Sequence, residues 1–277
     1  MPLVLFTALV FLGSLSAGLL GALTGLGGGV VLVPLLTLVF HVDIRYAIGA
    51  SLVSVIATSS GAAAAYVRDG YSNIRIGMFL EIATTIGALC GAFLATRMQT
   101  QLLAIVFGLV LIYSAFLSWR QSRHPLPELT TGSPWSKKLE LSGEFPVPGG
   151  KQSYEVVRIP WGFATMFGAG TLSGLLGIGS GAVKVLAMDR IMRVPFKVST
   201  TTSNFMIGVT AAASAGIYLH RGFIDPALSF PVMLGVLGGS QVGARYLVKA
   251  NVKLLRIVFT VVILALGLEM IVNGAMQ

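Results

Sequence analysis

Charge is scarce in this chain. Of 277 residues only 10% are Asp, Glu, Lys or Arg, against roughly 25% in an ordinary soluble domain. No charged residue precedes Asp43, and the first apolar run has no basic residues ahead of it. Met1–Phe6 therefore reads as the start of a retained segment rather than of a cleaved signal peptide. Cysteine occurs once, at Cys90, which excludes an intrachain disulfide and a Cys-cluster metal centre. His41, His124 and His220 are scattered without ligand spacing, so no metal and no cofactor is expected. Neither glycine run is followed by Gly-Lys-Ser/Thr, which removes a nucleotide loop. An intramembrane enzyme would need an acid–base pair or metal ligands; only Glu81 and Lys184 lie well inside apolar runs, and no enzyme is expected. The net charge of +9 is read as membrane topology, not as a nucleic-acid footprint.

Apolar runs fill the space that charge vacates. Hydrophobic residues make up 55% of the chain and mean hydropathy is +0.86. Leu3–Leu23, Ala47–Val67, Ile76–Ala95, Leu102–Trp119 and Leu254–Val272 approach or exceed the roughly 20 residues that cross a bilayer as a helix. The fold class that follows is an all-α polytopic membrane protein.

Two glycine runs organise it. Gly25-Leu26-Gly27-Gly28-Gly29 and Gly177-Ile178-Gly179-Ser180-Gly181 lie 152 residues apart. At that offset Val42 falls on Val194, Ser51 on Ser203, Thr58 on Thr210, Tyr66 on Tyr218, and Gly87 and Gly91 on Gly239 and Gly243. One ungapped register containing both runs and the tyrosine indicates an internal duplication. Residues 1–119 form the first repeat and 159–277 the second. Each reads as five helical segments: 3–23, 27–40, 46–67, 76–95 and 102–119, then 160–175, 179–192, 199–219, 226–247 and 254–273. Between them 120–158 is polar and rich in Pro and Gly, and reads as a solvent-exposed, mobile linker.

An odd number of crossings inverts the second repeat, and the charges agree. Alternating the connections places Arg45, Arg97 and Arg221 on one side and fifteen basic residues on the other, the linker included. Cytoplasmic loops hold the basic excess, so the linker is expected in the cytoplasm and both termini outside the cytoplasmic (inner) membrane. The second segments are short: Gly27–Phe40 spans about 21 Å as a helix against a hydrocarbon core of about 30 Å. With the first segments they form hairpins on glycine elbows, re-entrant or fully crossing, whose tips inverted symmetry brings together near the midplane.

The elbows, Pro34, the helix start Gly49-Ala50-Ser51 and its counterpart Thr200-Thr201-Thr202-Ser203-Asn204, recurring at matched spacing, resemble the TauE/SafE family of sulfite and organosulfonate exporters. Ser180 in place of a glycine and Leu186 in place of Pro34 depart from strict equivalence of the elbows. The resemblance implies a secondary transporter that exports a small sulfur oxyanion by alternating access, with the anion bound between the elbows. Elbow N–H groups suit an anion. The candidate binding residues are Gly27, Gly28, Gly29, Ser51, Gly179, Ser180, Gly181, Lys184, Thr202, Ser203, Asn204 and Gln241. Lys184 would neutralise the oxyanion, or else snorkel outward or pair with Asp189. Glu81 is the proton-coupling candidate, or else faces the interface near Arg75; the alternative function it would serve is proton-coupled uptake of sulfite, a sulfonate or another small anion. A further reading is a scaffold acting through the linker. Expected partners are a small anion and the lipid bilayer, without nucleic acid; the sequence leaves a homodimer open.

Overall fold

The computed structural model describes residues 3–24, 28–68, 72–120, 134–147, 150–247 and 252–276. A run rich in Leu, Val, Phe and Ala, with no charged residue, carries α1 (Leu3–Thr24) up to the first glycine run. Then come α2 (Gly29–Pro34), winding on into a π-turn segment (Leu35–Val39), α3 (Ile44–Arg68), α4 (Ile74–Ala95) and α5 (Thr100–Arg120). A short α6 (Pro134–Lys138) and the strands β1 (Gly143–Val147) and β2 (Gly150–Tyr154) follow. The second half holds α7 (Ile159–Leu176), α8 (Gly181–Leu186) with its π-turn segment (Ala187–Ile191), α9 (Phe196–His220), α10 (Pro226–Leu247) and α11 (Val252–Met276).

The limits of these elements repeat at the 152-residue offset. The pairs α2 and α8, their π-turn segments, α3 and α9, and α4 and α10 begin and end at matched residues. The turns repeat too. His41 and Arg193 take positive φ, 53° and 56°, and the N–H groups of Val42 and Val194 close onto the carbonyls of Leu36 and Met188. Pro34 does not cause the π winding, because Leu186 stands in its place in the second half and winds the same way. Asn73 Oδ1 accepts from Ile76 N at 3.1 Å to cap α4. Asp225, 152 positions later, accepts from Ala227 N at 2.9 Å. Such side chains satisfy N–H groups that the first helical turn leaves over.

The fourth helix of each half packs with the other half. α4 lies on α7 and α9, whereas α10 lies on α1 and α3. Two bundles result: α1, α2 and α3 with α10, and α7, α8 and α9 with α4. They meet where α3 packs on α9, and α5 packs on α11. Exchanging the two halves turns this set of pairings into itself. Glycine permits the close approach. A Cβ at Gly87 or Gly91 of α4 would meet the carbonyls of Phe167 and Thr171 of α7, and one at Gly239 of α10 would meet the Leu15 carbonyl of α1, each under 3.0 Å. Gly170 faces Thr84 as Gly18 faces Val236, again at the 152-residue offset. In a bilayer, where lipid tails give helices no hydrophobic reason to associate, such small-residue contacts supply the packing.

Outside these contacts the surface is apolar. Met78, Ile82, Ile86, Leu89 and Phe93 make an exposed stripe along α4, which is at home against lipid and a liability in water. Val4–Gly21 and Ile74–Ala95 are each long and apolar enough to cross a membrane. The structure therefore matches the expected all-α membrane class.

The connecting region differs from its reading as a mobile linker. Its described part is folded. β1 and β2 pair antiparallel, Gly143 opposite Tyr154 and Val147 opposite Gly150. Leu141, Phe145, Tyr154 and Val156 are buried in one cluster with Ile76 and Leu80 of α4. Asn73 locks them down, its Nδ2 donating to the Tyr154 hydroxyl at 2.7 Å and to the Leu141 carbonyl at 3.3 Å. Burial pushes the Tyr154 hydroxyl above its ordinary pKa, with the Asn73 hydrogen bond opposing. Turn-forming composition had masked aromatic residues that have a membrane-protein surface to cover. These bonds set the hairpin beside the start of α4, at one end of the molecule. At the other end Arg45 donates to the Met98 carbonyl and stacks on Phe223, gathering the connections after α2, α4 and α9.

Candidate functional site

The described end of the first glycine run meets the second. Gly29 starts α2 against the second run: a Cβ there would stand 2.6 Å from Ser51 Oγ and 3.0 Å from the Gly177 carbonyl. Ser51 Oγ, buried on α3, donates to that carbonyl at 2.8 Å. Its counterpart on α9, Ser203, donates to the Gly181 carbonyl at 3.4 Å. Each serine thus ties the start of its helix to the second run, and both hydroxyls are engaged within the protein.

The runs are not equivalent. Gly28 has an ordinary right-handed backbone (φ −64°, ψ −23°), while Ser180, its counterpart, is left-handed at φ 44°, a conformation that costs an L-residue about 1–2 kcal/mol. The residue that needs glycine's freedom is the one that lacks it. Ser180 Oγ is buried without a hydrogen-bond partner and lines a cavity of about 20 Å³ bounded by Val30, Val110 and Leu172, room for about one water. Gly25, Leu26 and Gly27 lie outside the described residues.

One turn into α8, Lys184 is fully buried. Its Nζ donates to Thr210 Oγ1 of α9 at 2.5 Å. The Thr210 hydroxyl faces Glu81 Oε1 of α4 at 2.6 Å and the Met206 carbonyl at 2.8 Å; it has one proton to give and shares it between these acceptors. Thr85 Oγ1 also donates to Glu81 Oε1, at 3.3 Å, and Glu81 Oε2 is buried without a partner. Lys184, Thr210 and Glu81 thus form a polar chain across three helices of one bundle. Both alternative placements are corrected. Lys184 does not pair with Asp189, which lies 3.7 Å from Arg190. Glu81 is turned inward, and Arg75 pairs with Glu140. The counterpart positions in the other bundle are Leu32, Thr58 and Met233, so the charges occur on one side only.

The remaining candidates scatter. Thr202 Oγ1 accepts from Asn73 N at 3.0 Å and so holds the α3–α4 connection. Asn204 is half-buried and Gln241 is exposed on α10. Thr210 was not singled out as a site residue. Its place in the 152-residue register with Thr58 was visible, but nothing in the sequence set it between two charges. Away from all of these, a cavity of about 320 Å³ opens at the Arg45 end, lined by Thr37, His41, Asp43 and Thr100 among others. It contains none of the candidate residues. No group of three or more potential metal ligands occurs among the described residues.

The arrangement offers an ammonium with one hydrogen bond, among the described residues, out of three possible, and a carboxylate with a spare oxygen. The unused N–H groups of the ammonium are donors that suit a small anion. Chains of known kind agree with a membrane carrier. Residues 10–270 match the family described as Sulfite exporter TauE/SafE. "Probable membrane transporter protein YunE" of Bacillus subtilis is 28% identical over 97% of this chain and 98% of its own. "Probable membrane transporter protein YdhB" of the same organism is 27% identical over 86% and 89%, and "Probable membrane transporter protein MJ0441" of Methanocaldococcus jannaschii is 23% identical over 97% and 96%. No solved structure matches. A family match over nearly the whole chain, on a helical fold with a lipid-suited surface, makes this protein a membrane transporter that belongs to the TauE/SafE sulfite exporter family.

Proposed function

We propose that the chain exports a small sulfur oxyanion, sulfite or an organosulfonate, from the cytoplasm. The observation that carries the reading is Lys184: a fully buried ammonium with spare donors among the described residues, on the short helix that begins at the end of the second glycine run. Charged groups at such depth face a cavity, a partner or a ligand, and the family's description supplies the sulfur oxyanion. The two bundles act as the rocking units of an alternating-access cycle, with an inverted repeat, the linker in the cytoplasm and both termini outside. Their self-mapping pairings, and the contacts that join Arg45 to Met98 and Phe223 at one end and Asn73 to Thr202 and Leu141 at the other, support that topology. Export needs no nucleotide, because moving one negative charge out of a negative-inside cell releases about 2.3 kcal/mol per 100 mV. Proton-coupled uptake is the second reading, favoured by the contact between Glu81 and Thr210.

Thermal unfolding of the purified protein with sulfite, sulfate, thiosulfate, sulfoacetate and acetate tests the site. A ligand that binds only the folded state raises stability by mass action. Selective stabilisation by sulfite or a sulfonate, lost in Lys184→Ala, is the expected result. Equal stabilisation of the variant would remove Lys184 from the site.

A further inference from the structure

Transport of an anion by a cationic site leaves a difficulty in the second half of the cycle. The empty carrier has to turn back with Lys184 buried and no substrate to neutralise it. An unpaired charge resists such burial. We propose that Glu81 is the resident counter-anion of the empty carrier: its ionised carboxylate neutralises Lys184 through Thr210 when no substrate is bound, and the substrate anion takes over that role when it arrives. The proposal rests on the export reading and deepens it.

Three observations carry it. Thr210 Oγ1 lies within hydrogen-bond distance of both Lys184 Nζ and Glu81 Oε1, at 2.5 and 2.6 Å. Among the described residues both groups keep unused capacity, Glu81 Oε2 having no partner and Lys184 making a single hydrogen bond; a purely structural pair would be expected to close on itself. The elements packed around Glu81 carry few other charges, and Asp189 and Arg190 of the π-turn segment that shares a cluster with α4 face one another at 3.7 Å. α7 has no titratable side chain, and those of α9 are Lys197, Tyr218 and His220, toward its ends; on α4 itself Arg75 is paired with Glu140 and Cys90 is exposed. Around this carboxylate, Lys184 is the cation. Because the counterpart residues Leu32, Thr58 and Met233 are uncharged, one bundle holds the whole charge switch.

With Glu81 ionised throughout, the empty site is neutral and the loaded site has the charge of the substrate. The membrane voltage then acts on the loaded step and leaves the empty return free. Removing Glu81 reverses this: the loaded site becomes neutral for a monoanion, and the empty site must return with a bare cation.

The test uses the full chain in proteoliposomes with methanesulfonate, an anion that takes up no proton near neutral pH. Two fluxes are measured: net efflux into anion-free buffer, which needs the empty return, and exchange of labelled for unlabelled anion, which does not. In Glu81→Gln, net efflux is expected to fall by about tenfold or more while exchange stays near wild type, and the anion binds more tightly because its competitor is gone. Thr210→Val, which cuts the bridge but keeps both charges, should move the same two fluxes apart by less. Parallel loss of net efflux and exchange in both variants, or unchanged fluxes in Glu81→Gln, would overturn the counter-anion role. Proton movement with the anion in wild type would also overturn it, since Glu81 would then titrate within the cycle, and would favour coupled uptake. Failure of wild type to bind or move any sulfur anion would overturn the export reading itself, and this proposal with it.

Discussion

If Lys184 and Glu81 neutralise one another, their removal must be strongly non-additive. Lys184 is 0% exposed and Glu81 8%, and the link between them is a single hydroxyl with arms of 2.5 and 2.6 Å. Removing one member of a buried pair costs about 3–5 kcal/mol, because the other is left buried without compensation. The lower end applies here, since Thr85 still donates to Glu81, so Lys184→Met and Glu81→Gln should each cost about 3 kcal/mol. The double variant buries no charge and loses about one ordinary hydrogen bond, about 1 kcal/mol. At roughly 2–4 °C per kcal/mol for a chain of this size, each single variant should unfold about 6–12 °C below wild type and the double variant only about 2–4 °C below. Thermal unfolding of the four purified proteins in the same detergent, without added anion, measures the cycle. A double variant whose loss equals the sum of the single losses would refute the pairing.

Other perturbations read the scaffold. Gly87→Leu should abolish monodisperse protein on size-exclusion chromatography, because even a Cβ there meets the Phe167 backbone, whereas Gly216→Leu, with nothing within 4 Å, should behave as wild type. Ser51→Ala should cost about 1 kcal/mol for the bond to Gly177, and Gly29→Ala should be less damaging in that background than alone, since Ser51 Oγ is the first atom its Cβ meets; thermal unfolding compares them. The Tyr154 hydroxyl has its pKa raised by burial above 10.0. Its unfolded form therefore ionises first as pH rises. The contribution is complete below pH 10.0 and is lost as pH climbs through the higher folded value. In Tyr154→Phe the alkaline fall in stability above pH 10.0 should be shallower, and a curve identical to wild type would contradict the burial.

The helices were legible because their cause is local. An apolar run between glycine, proline or charge can do little else, and the segments expected at 46–67 and 226–247 appear as Ile44–Arg68 and Pro226–Leu247. The duplication was legible as register, and the matched element ends follow it to the residue. The exchange of α4 and α10 between halves was not, although Gly87, Gly91 and Gly239 marked the faces involved; small residues announce a close neighbour without naming it. The hairpin at 143–154 was hidden by a composition typical of loops. Asn73 went unnoticed although an Asn before an apolar run is a helix-start signal. Glu81 and Lys184 were each visible as misplaced charges. Their meeting was not, because 103 residues separate them in sequence and only tertiary packing sets Thr210 between them.

The most direct test of the account is voltage-driven efflux. Proteoliposomes loaded with sulfite and clamped inside-negative by a potassium gradient with valinomycin should release it faster as the voltage is made more negative, in wild type and not in Lys184→Ala. Efflux indifferent to voltage, or retained in the variant, would contradict the claim that this chain carries a sulfur oxyanion outward on a buried lysine.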